Sequence, residues 1–221
     1  MKRFHVTPFH HGVLTFWAAW RRAHETTPVR VLSLDHHTDV VRAFRDDAAE
    51  IGEEAWRSPE TVESAVARLR HDEHFDWAVK SGLVEEVFIA SHTCATVPAD
   101  RRLHVLCDPR WPEENEFLRE PKRCRALADS VLEGDYLFRQ FGDIGRYGAF
   151  ILDIDCEYFL TRRALSPRDG GYFDALLRRA ELVTVSLESD WVRLLKLPKE
   201  DITGPFVASA VKTRLENLPA S

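Results

Sequence analysis

A three-layer α/β/α sandwich with a mainly parallel sheet is the fold this sequence predicts, and three observations carry it. Apolar, β-branched runs recur along the chain: VRVLSLD at 29–35, EEVFIAS at 85–91, RLHVLC at 102–107, AFILDID at 149–155 and ELVTVSL at 181–187. The first and fourth are apolar on both faces, as strands covered on both sides are in a parallel sheet. Segments with helical apolar spacing separate the runs, so strands alternate with helices.

The elements follow in order. A short extended segment at 3–7 ends before Pro8 and leads into a helix over 12–24, where Leu14, Trp17 and Trp20 recur at helical spacing. A turn at 26–28 delivers the strand 29–35. Residues 39–54 and 59–70 read as helices, the second amphipathic through Val62, Ala65, Val66 and Leu69 and capped by Ser58. Strands at 85–91 and 102–107 come next. The segment 108–148 is charged and punctuated by Pro109, Pro112, Pro121, Gly134, Gly142, Gly145 and Gly148, which predicts loop and short helix around a site. The strand 149–155, a helix over 170–180, the strand 181–187 and helices at 190–195 and 205–218 complete the chain. No repeat or low-complexity linker interrupts it, so residues 1–221 are expected to form one domain.

Composition excludes several classes. With 30 Lys or Arg against 36 Asp or Glu the formal net charge is −6, which argues against nucleic-acid binding through bulk positive charge. An apolar content of 44% excludes a disordered chain. The N-terminal MKRFHVTPFHHG lacks the apolar run of a signal peptide, and no stretch approaches the roughly 20 apolar residues of a membrane span. A cytoplasmic protein without a membrane partner is therefore expected. Cys94, Cys107, Cys124 and Cys156 show no CxxC pairing and no disulfide framework, so reduced thiols are expected as well. All ten histidines lie between His5 and His104, an uneven stock of imidazole that raises the question of metals.

Two strands finish in acidic clusters: Leu34-Asp35-His36-His37-Thr38-Asp39 and Leu152-Asp153-Ile154-Asp155. Ligands of an open parallel sheet gather at the carboxyl ends of its strands, so both clusters converge on one crevice. In extended chain alternate residues share a face, which aligns Asp35, His37 and Asp39, and Asp153 with Asp155. His36 alternates away and reads as a packing residue. Four ionised carboxylates need a counter-charge, because unpaired buried charge costs more than folding can spare. Two divalent cations cancel them. Hard oxygen ligands with one or two imidazoles favour Mn²⁺ or Mg²⁺, with Fe²⁺, Co²⁺ and Ni²⁺ as alternatives.

The order of a histidine, then DHHTD, then DID resembles the binuclear-metal ureohydrolases, the arginase and agmatinase superfamily. It is most similar to a shorter, arginase-related group that includes the peptide arginases of ribosomal-peptide (RiPP) biosynthesis. The resemblance rests on His10 followed by His11-Gly12-Val13-Leu14, SLDHHTD at 33–39, HDEH at 71–74 and FILDIDCEYF at 150–159. It implies a compact arginase/deacetylase-like sandwich in which Asp35 and Asp153 bridge two Mn²⁺ ions. His10 and Asp39 would complete one shell, and His37 and Asp155 the other. His11 is a rival to His10.

The resemblance further implies attack of a metal-bridging hydroxide on a guanidinium carbon. Glu188, at the end of a late strand, would hold the guanidinium through a bidentate carboxylate. His74 is the first candidate for proton shuttle and His71 the second. Asp72 and Glu73 would orient a histidine or contact substrate. His92 and His104 have no partner spacing and read as structural. The chain is shorter than arginases, which implies a crevice open enough for arginine residues of a precursor peptide, giving ornithine and urea. Residues 108–148 are then the candidate peptide-binding surface. Free arginine, agmatine or another small amidino compound stays open as substrate, as do a deacetylase-like amidohydrolase and a non-catalytic metal-binding module.

Overall fold

The structure is a computed structural model that describes residues 3–46, 50–94, 96–112 and 121–219. Six strands form one sheet: β1 (Arg3–Thr7), β2 (Arg30–Asp35), β3 (Val87–Ser91), β4 (Leu103–Cys107), β5 (Phe150–Asp155) and β6 (Leu182–Ser186). Their order is β1-β6-β5-β2-β3-β4, and every neighbouring pair is parallel. From β2 the chain proceeds to β3 and β4 on one side, whereas β5 pairs with the other edge of β2 and leads on to β6. The strand order therefore reverses between β2 and β5, where a parallel sheet opens a crevice beyond its carboxyl ends.

Eight α-helices lie among the described residues: α1 (Val13–Ala23), α2 (Pro59–Arg68), α3 (His74–Lys80), α4 (Pro121–Ala128), α5 (Gly134–Phe141), α6 (Gly171–Arg179), α7 (Ser189–Leu195) and α8 (Gly204–Glu216). Ser58 caps α2 as its sequence predicts: Pro59 sits in the first turn, and the Ser58 hydroxyl accepts a hydrogen bond from the Thr61 amide at 3.1 Å. Strand alternation divides the core. Val31, Val87, Ile89, Ile151 and Leu182 pack with Leu14, Trp17, Val62 and Phe75 from α1, α2 and α3. On the opposite face Leu32, Leu34, Leu152, Ile154, Val183 and Val185 pack with Leu137, Leu176 and Val207 from α5, α6 and α8.

Three expectations are corrected. Residues 39–46 and 50–54 are not helical; Asp39, Phe44 and Glu54 have φ of 48°, 54° and 63°, a left-handed conformation no α-helix accommodates. Tertiary bonds hold this loop instead: Asp76 accepts from the Ala43 amide at 2.8 Å, and Glu73 from the Phe44 amide at 3.2 Å. Residues 47–49 of that segment lie outside the described residues. The segment 108–148 does contain short helices, but its described part supplies a core layer rather than a wall of the crevice. Trp111, Leu127, Val131, Leu132, Tyr136 and Phe141 bury their side chains against the face remote from the aspartates. Finally, Cys94 and Cys107 form a disulfide with Cα atoms 5.9 Å apart, while Cys124 and Cys156 are free and buried. The register sets Ser91 opposite Cys107, so a loop leaving β3 returns Cys94 to its partner, a proximity no sequence spacing reveals. No helix among the described residues is long and apolar enough to cross a membrane.

Candidate metal centre

The alternation that buries Leu152 and Ile154 on one face turns Asp153 and Asp155 to the other. Ser33 pairs in register with Asp153, and Asp153 with Thr184, forming a polar rung across three strands; Asp155 and Ser186 form the next. Asp153 is fully buried, with both oxygens hydrogen-bonded. It accepts from Ser33 Oγ at 3.1 Å, Thr184 Oγ1 at 2.7 Å and His10 Nε2 at 2.7 Å. Trp17 Nε1 in turn donates to Thr184 Oγ1 at 3.1 Å, which ties the rung to α1.

His10 lies in the short 3-10 turn before α1 and projects over these rungs. Its Nδ1 is 3.0 Å from Asp39, 3.1 Å from Asp155 and 3.7 Å from Asp35. Burial alone would lower its pKa, but the charges and hydrogen bonds of Asp153 and Asp155 carry it well above the ordinary imidazole value. An imidazolium is thus the cation among these aspartates in the metal-free chain. His11, the rival, lies outside the cluster and lines a neighbouring cavity.

At the ends of the adjacent strands β2 and β5, two aspartates make the same local turn. Asp35 Oδ1 accepts from the His37 amide at 3.1 Å, and Asp155 Oδ1 from the Glu157 amide at 3.0 Å. The turns bring His37 and Glu157 together, with His37 Nδ1 hydrogen-bonded to Glu157 Oε1. Glu157 is 3% exposed, and burial followed by the charge of Asp155 raises its pKa well above the usual carboxylate range. Burial and Asp39 raise that of Asp35 in the same way. Glu157 is missing from the sequence-derived site, although its spacing from Asp155 repeats that between Asp153 and Asp155.

His74 opens α3 and is fully buried, its ring centroid 4.2 Å from that of His10. Its Nδ1 faces the carbonyl of His71 at 3.1 Å. A carbonyl only accepts, so Nδ1 carries the proton and the lone pair is on Nε2, a buried atom without a hydrogen-bond partner. Burial and His10 lower the His74 pKa well below its ordinary value, so the ring is neutral. His71 lies apart from the cluster, exposed at a cavity mouth with its ring 6.0 Å from Trp191. Glu73 is not brought to the crevice as a substrate contact. Its carboxylate accepts from the Phe44 and Arg70 amides and faces Arg45 Nε at 3.4 Å, binding two loops together. Asp72 likewise pairs with Arg45 at 3.0 Å.

Glu188 stands at the entry to α7 with φ 34° and ψ 49°. The first residue of α8 holds this bend: a Cβ on Gly204 would lie 2.3 Å from the Leu187 carbonyl oxygen, so only glycine permits the approach. Glu188 Oε1 accepts from the His10 amide at 2.6 Å, and burial and Asp155 raise its pKa. Glu188 also lines a cavity of about 550 Å³ with Pro8, Phe9, His71, Asp190 and Trp191. The other histidines are tied elsewhere. His92 Nε2 donates to the Tyr158 carbonyl at 2.9 Å and burial lowers its pKa to about 3, His104 pairs with Glu86 at 3.0 Å, and the buried His36 ring packs edge-on against His92.

Three groups offer ligand atoms within 4.8 Å of one another: His10, Asp39 and His74; His10, Asp35 and Asp155; and Asp35, His37 and Glu157. Asp155 thus falls with His10 rather than with His37. The donor set suits divalent cations. Asp35, Asp39, Asp153 and Asp155 find only histidines, and no lysine or arginine, as ion-pair partners among the described residues. Asp35 Oδ2, 3.7 Å from His10 Nδ1, is buried without a hydrogen bond, an open lone pair of the kind a hard cation takes up.

No protein-family model matches this chain, and no curated protein sequence matches it. Among solved structures it is similar to proclavaminate amidino hydrolase from Streptomyces clavuligerus, at 16% identity and a TM-score of 0.47 over 96% of this chain and 62% of that one. It is also similar to a T. brucei arginase-like protein, at 12% identity and a TM-score of 0.41 over 96% of this chain and 57% of that one. Helicobacter pylori arginase is similar at 12% identity and a TM-score of 0.41, over 98% of this chain and 73% of that one. This chain therefore spans 62% and 57% of the length of the first two.

Proposed function

We propose that this chain is a peptide arginase that hydrolyses the guanidinium of arginine residues in a precursor peptide to give ornithine and urea. The observation that carries the reading is the buried His10 imidazole ringed by Asp35, Asp39, Asp153 and Asp155 beside a cavity lined by Glu188. His10, Asp35, His37, Asp39, Asp153 and Asp155 would hold two divalent ions, manganese in our reading. Bound there, the ions supply the Lewis acidity that makes water a nucleophile near neutral pH.

The chain's own groups supply the rest. The Glu188 carboxylate faces two tasks, accepting the His10 amide proton and accepting guanidinium N–H donors from the cavity, the planar match that favours arginine. His74 receives a proton at Nε2, its unprotonated nitrogen, and returns it to the departing amine. His71, exposed at the cavity mouth, exchanges protons with solvent. The balance is one guanidinium cation and one water to one urea and one protonated amine. Support for a peptide substrate comes from the cavity rim. Phe9, Arg70, His71, Ser189 and Asp190 are all exposed, so a side chain still attached to backbone reaches Glu188 from the surface. The proposed setting is the cytoplasm, with the precursor peptide as partner.

The test incubates the chain with Mn²⁺ and either an arginine-containing peptide or free arginine. Mass spectrometry of the peptide and a urea assay are the readouts. Conversion of peptide arginine to ornithine with urea release is expected. Turnover of free arginine alone would reassign the substrate to a small amidino compound, and no turnover of either would leave a binding module.

A further inference from the structure

We infer that Glu157 is itself a metal ligand, forming with Asp35 and His37 the cation site at the joined ends of β2 and β5. The inference rests on the two-ion reading above and changes which residues make the second site. Asp35, His37 and Glu157 present ligand atoms within 4.8 Å of one another, whereas Asp155, the expected partner of His37, turns its Oδ2 to His10 at 3.1 Å. The other Asp155 oxygen is engaged by the Glu157 amide. Glu157 thus stands where a second carboxylate beside His37 is wanted.

A second observation points to a ligand independently of this acidic grouping. Asp35 has one oxygen in its turn with the His37 amide, and its other oxygen, Oδ2, is buried without any hydrogen bond, with His10 Nδ1 at 3.7 Å as its ionic neighbour. A carboxylate oxygen in a fully buried residue that has only an ion pair beyond hydrogen-bond reach is under-satisfied, and a metal cation bonds it directly. Asp35, Asp39, Asp153 and Asp155 would balance two divalent ions, so an ionised Glu157 would add a fifth carboxylate and leave the loaded centre one negative charge in excess. Such a site attracts a cationic guanidinium.

The experiment measures metal binding rather than turnover. Wild type, Glu157→Gln and a control at an exposed glutamate of α2, Glu60→Gln, are stripped with chelator, checked for folding by circular dichroism, and titrated with Mn²⁺ calorimetrically with stoichiometry by elemental analysis. Wild type and Glu60→Gln are expected to take two ions. Glu157→Gln is expected to take one, or to bind its second at least about tenfold more weakly. Two ions at unchanged affinity in Glu157→Gln would overturn the inference and leave the two-ion reading standing; fewer than two ions in wild type would overturn both. Because Glu157→Gln is a buried change and fails the folding check if it disrupts the core, anomalous diffraction from Mn²⁺-loaded wild type gives an answer without it. A manganese peak within bonding distance of a Glu157 oxygen supports the assignment. Two peaks both out of its reach, with Glu157 bonded only to the His37 ring, refute it.

Discussion

The two faces of one sheet end differ by a single residue step. On β5, Leu152 and Ile154 point into an apolar core, and Asp153 and Asp155, their chain neighbours, point into a crowd of carboxylates. Both faces are buried, so burial does not separate them. On the apolar face the side chains of Leu152 and Ile154 are satisfied by packing alone. On the polar face Asp153 takes three hydrogen-bond donors from three different elements, and Asp35 still has an oxygen without a hydrogen bond. One face therefore holds the fold, and the other holds charge that the fold alone does not neutralise.

Paired substitutions across that step break the comparison most forcefully. Asp153→Asn is expected to lower kcat/KM by at least about 10³-fold, about 4 kcal/mol of barrier, through loss of a ligand. Its stability in chelator should fall too, by about 1–3 kcal/mol, because the amide N–H2 faces buried groups that donated to the carboxylate and the change removes a counter-charge of His10. Leu152→Ala should separate stability from activity. It is expected to cost about 2–5 kcal/mol of stability from the cavity it leaves, while the folded fraction keeps metal-dependent activity. Denaturant unfolding with and without Mn²⁺, beside the urea assay, separates the two. Equal losses of activity in both variants would mean the faces are not functionally distinct.

The strand ends were open to reading because a parallel sheet imposes two strong regularities: continuous apolar runs and ligands at carboxyl termini. Asp35, Asp39, Asp153 and Asp155 follow from these, and all four meet at His10 in the structure. What stayed hidden depends on tertiary contacts with no local signal. Residues 39–46 have a helix-like composition, yet Asp76 and Glu73, remote in sequence, bind their amides in a loop. Glu73 looks like a site residue beside His74 and is occupied in exactly that anchoring. Glu157 was obscured because its proximity to His37 requires two strands in register, not one motif.

The polar face also predicts a pH dependence, of intermediate size. The metal-free cluster holds protons more tightly than the unfolded chain: His10 sits well above 6.5, and Asp35 and Glu157 above the ordinary carboxylate range. A raised folded-state pKa contributes stability that is complete below the unfolded value and lost as pH rises through the folded one. Ligation demands the deprotonated forms, so binding releases protons and strengthens with pH. The stabilisation by Mn²⁺, seen as a rise in Tm, should therefore be larger at about pH 8.5 than at about pH 6.5, with the binding free energy growing by about 1.4 kcal/mol per pH unit for each proton released. Differential scanning calorimetry in matched buffers measures it. A shift that shrinks as pH rises would contradict the protonated cluster.

The smallest effect concerns the rung that supports Asp153. Thr184 Oγ1 donates to Asp153 at 2.7 Å and accepts from Trp17 Nε1 at 3.1 Å, so one hydroxyl joins β6, β5 and α1. Thr184→Val keeps the shape of the side chain and removes both bonds. The Trp17 N–H is then buried without an acceptor, and Asp153 keeps only Ser33 and His10 as donors. The expected cost is about 1–3 kcal/mol of stability. Unlike Leu152→Ala, the same change should also weaken Mn²⁺ binding, by roughly tenfold, because the hydroxyl orients a proposed ligand. Calorimetric titration of Thr184→Val against Leu152→Ala reads both quantities on folded protein. Equal Mn²⁺ affinity in the two variants would show that the rung serves folding alone, and would erase the distinction between the faces at this position.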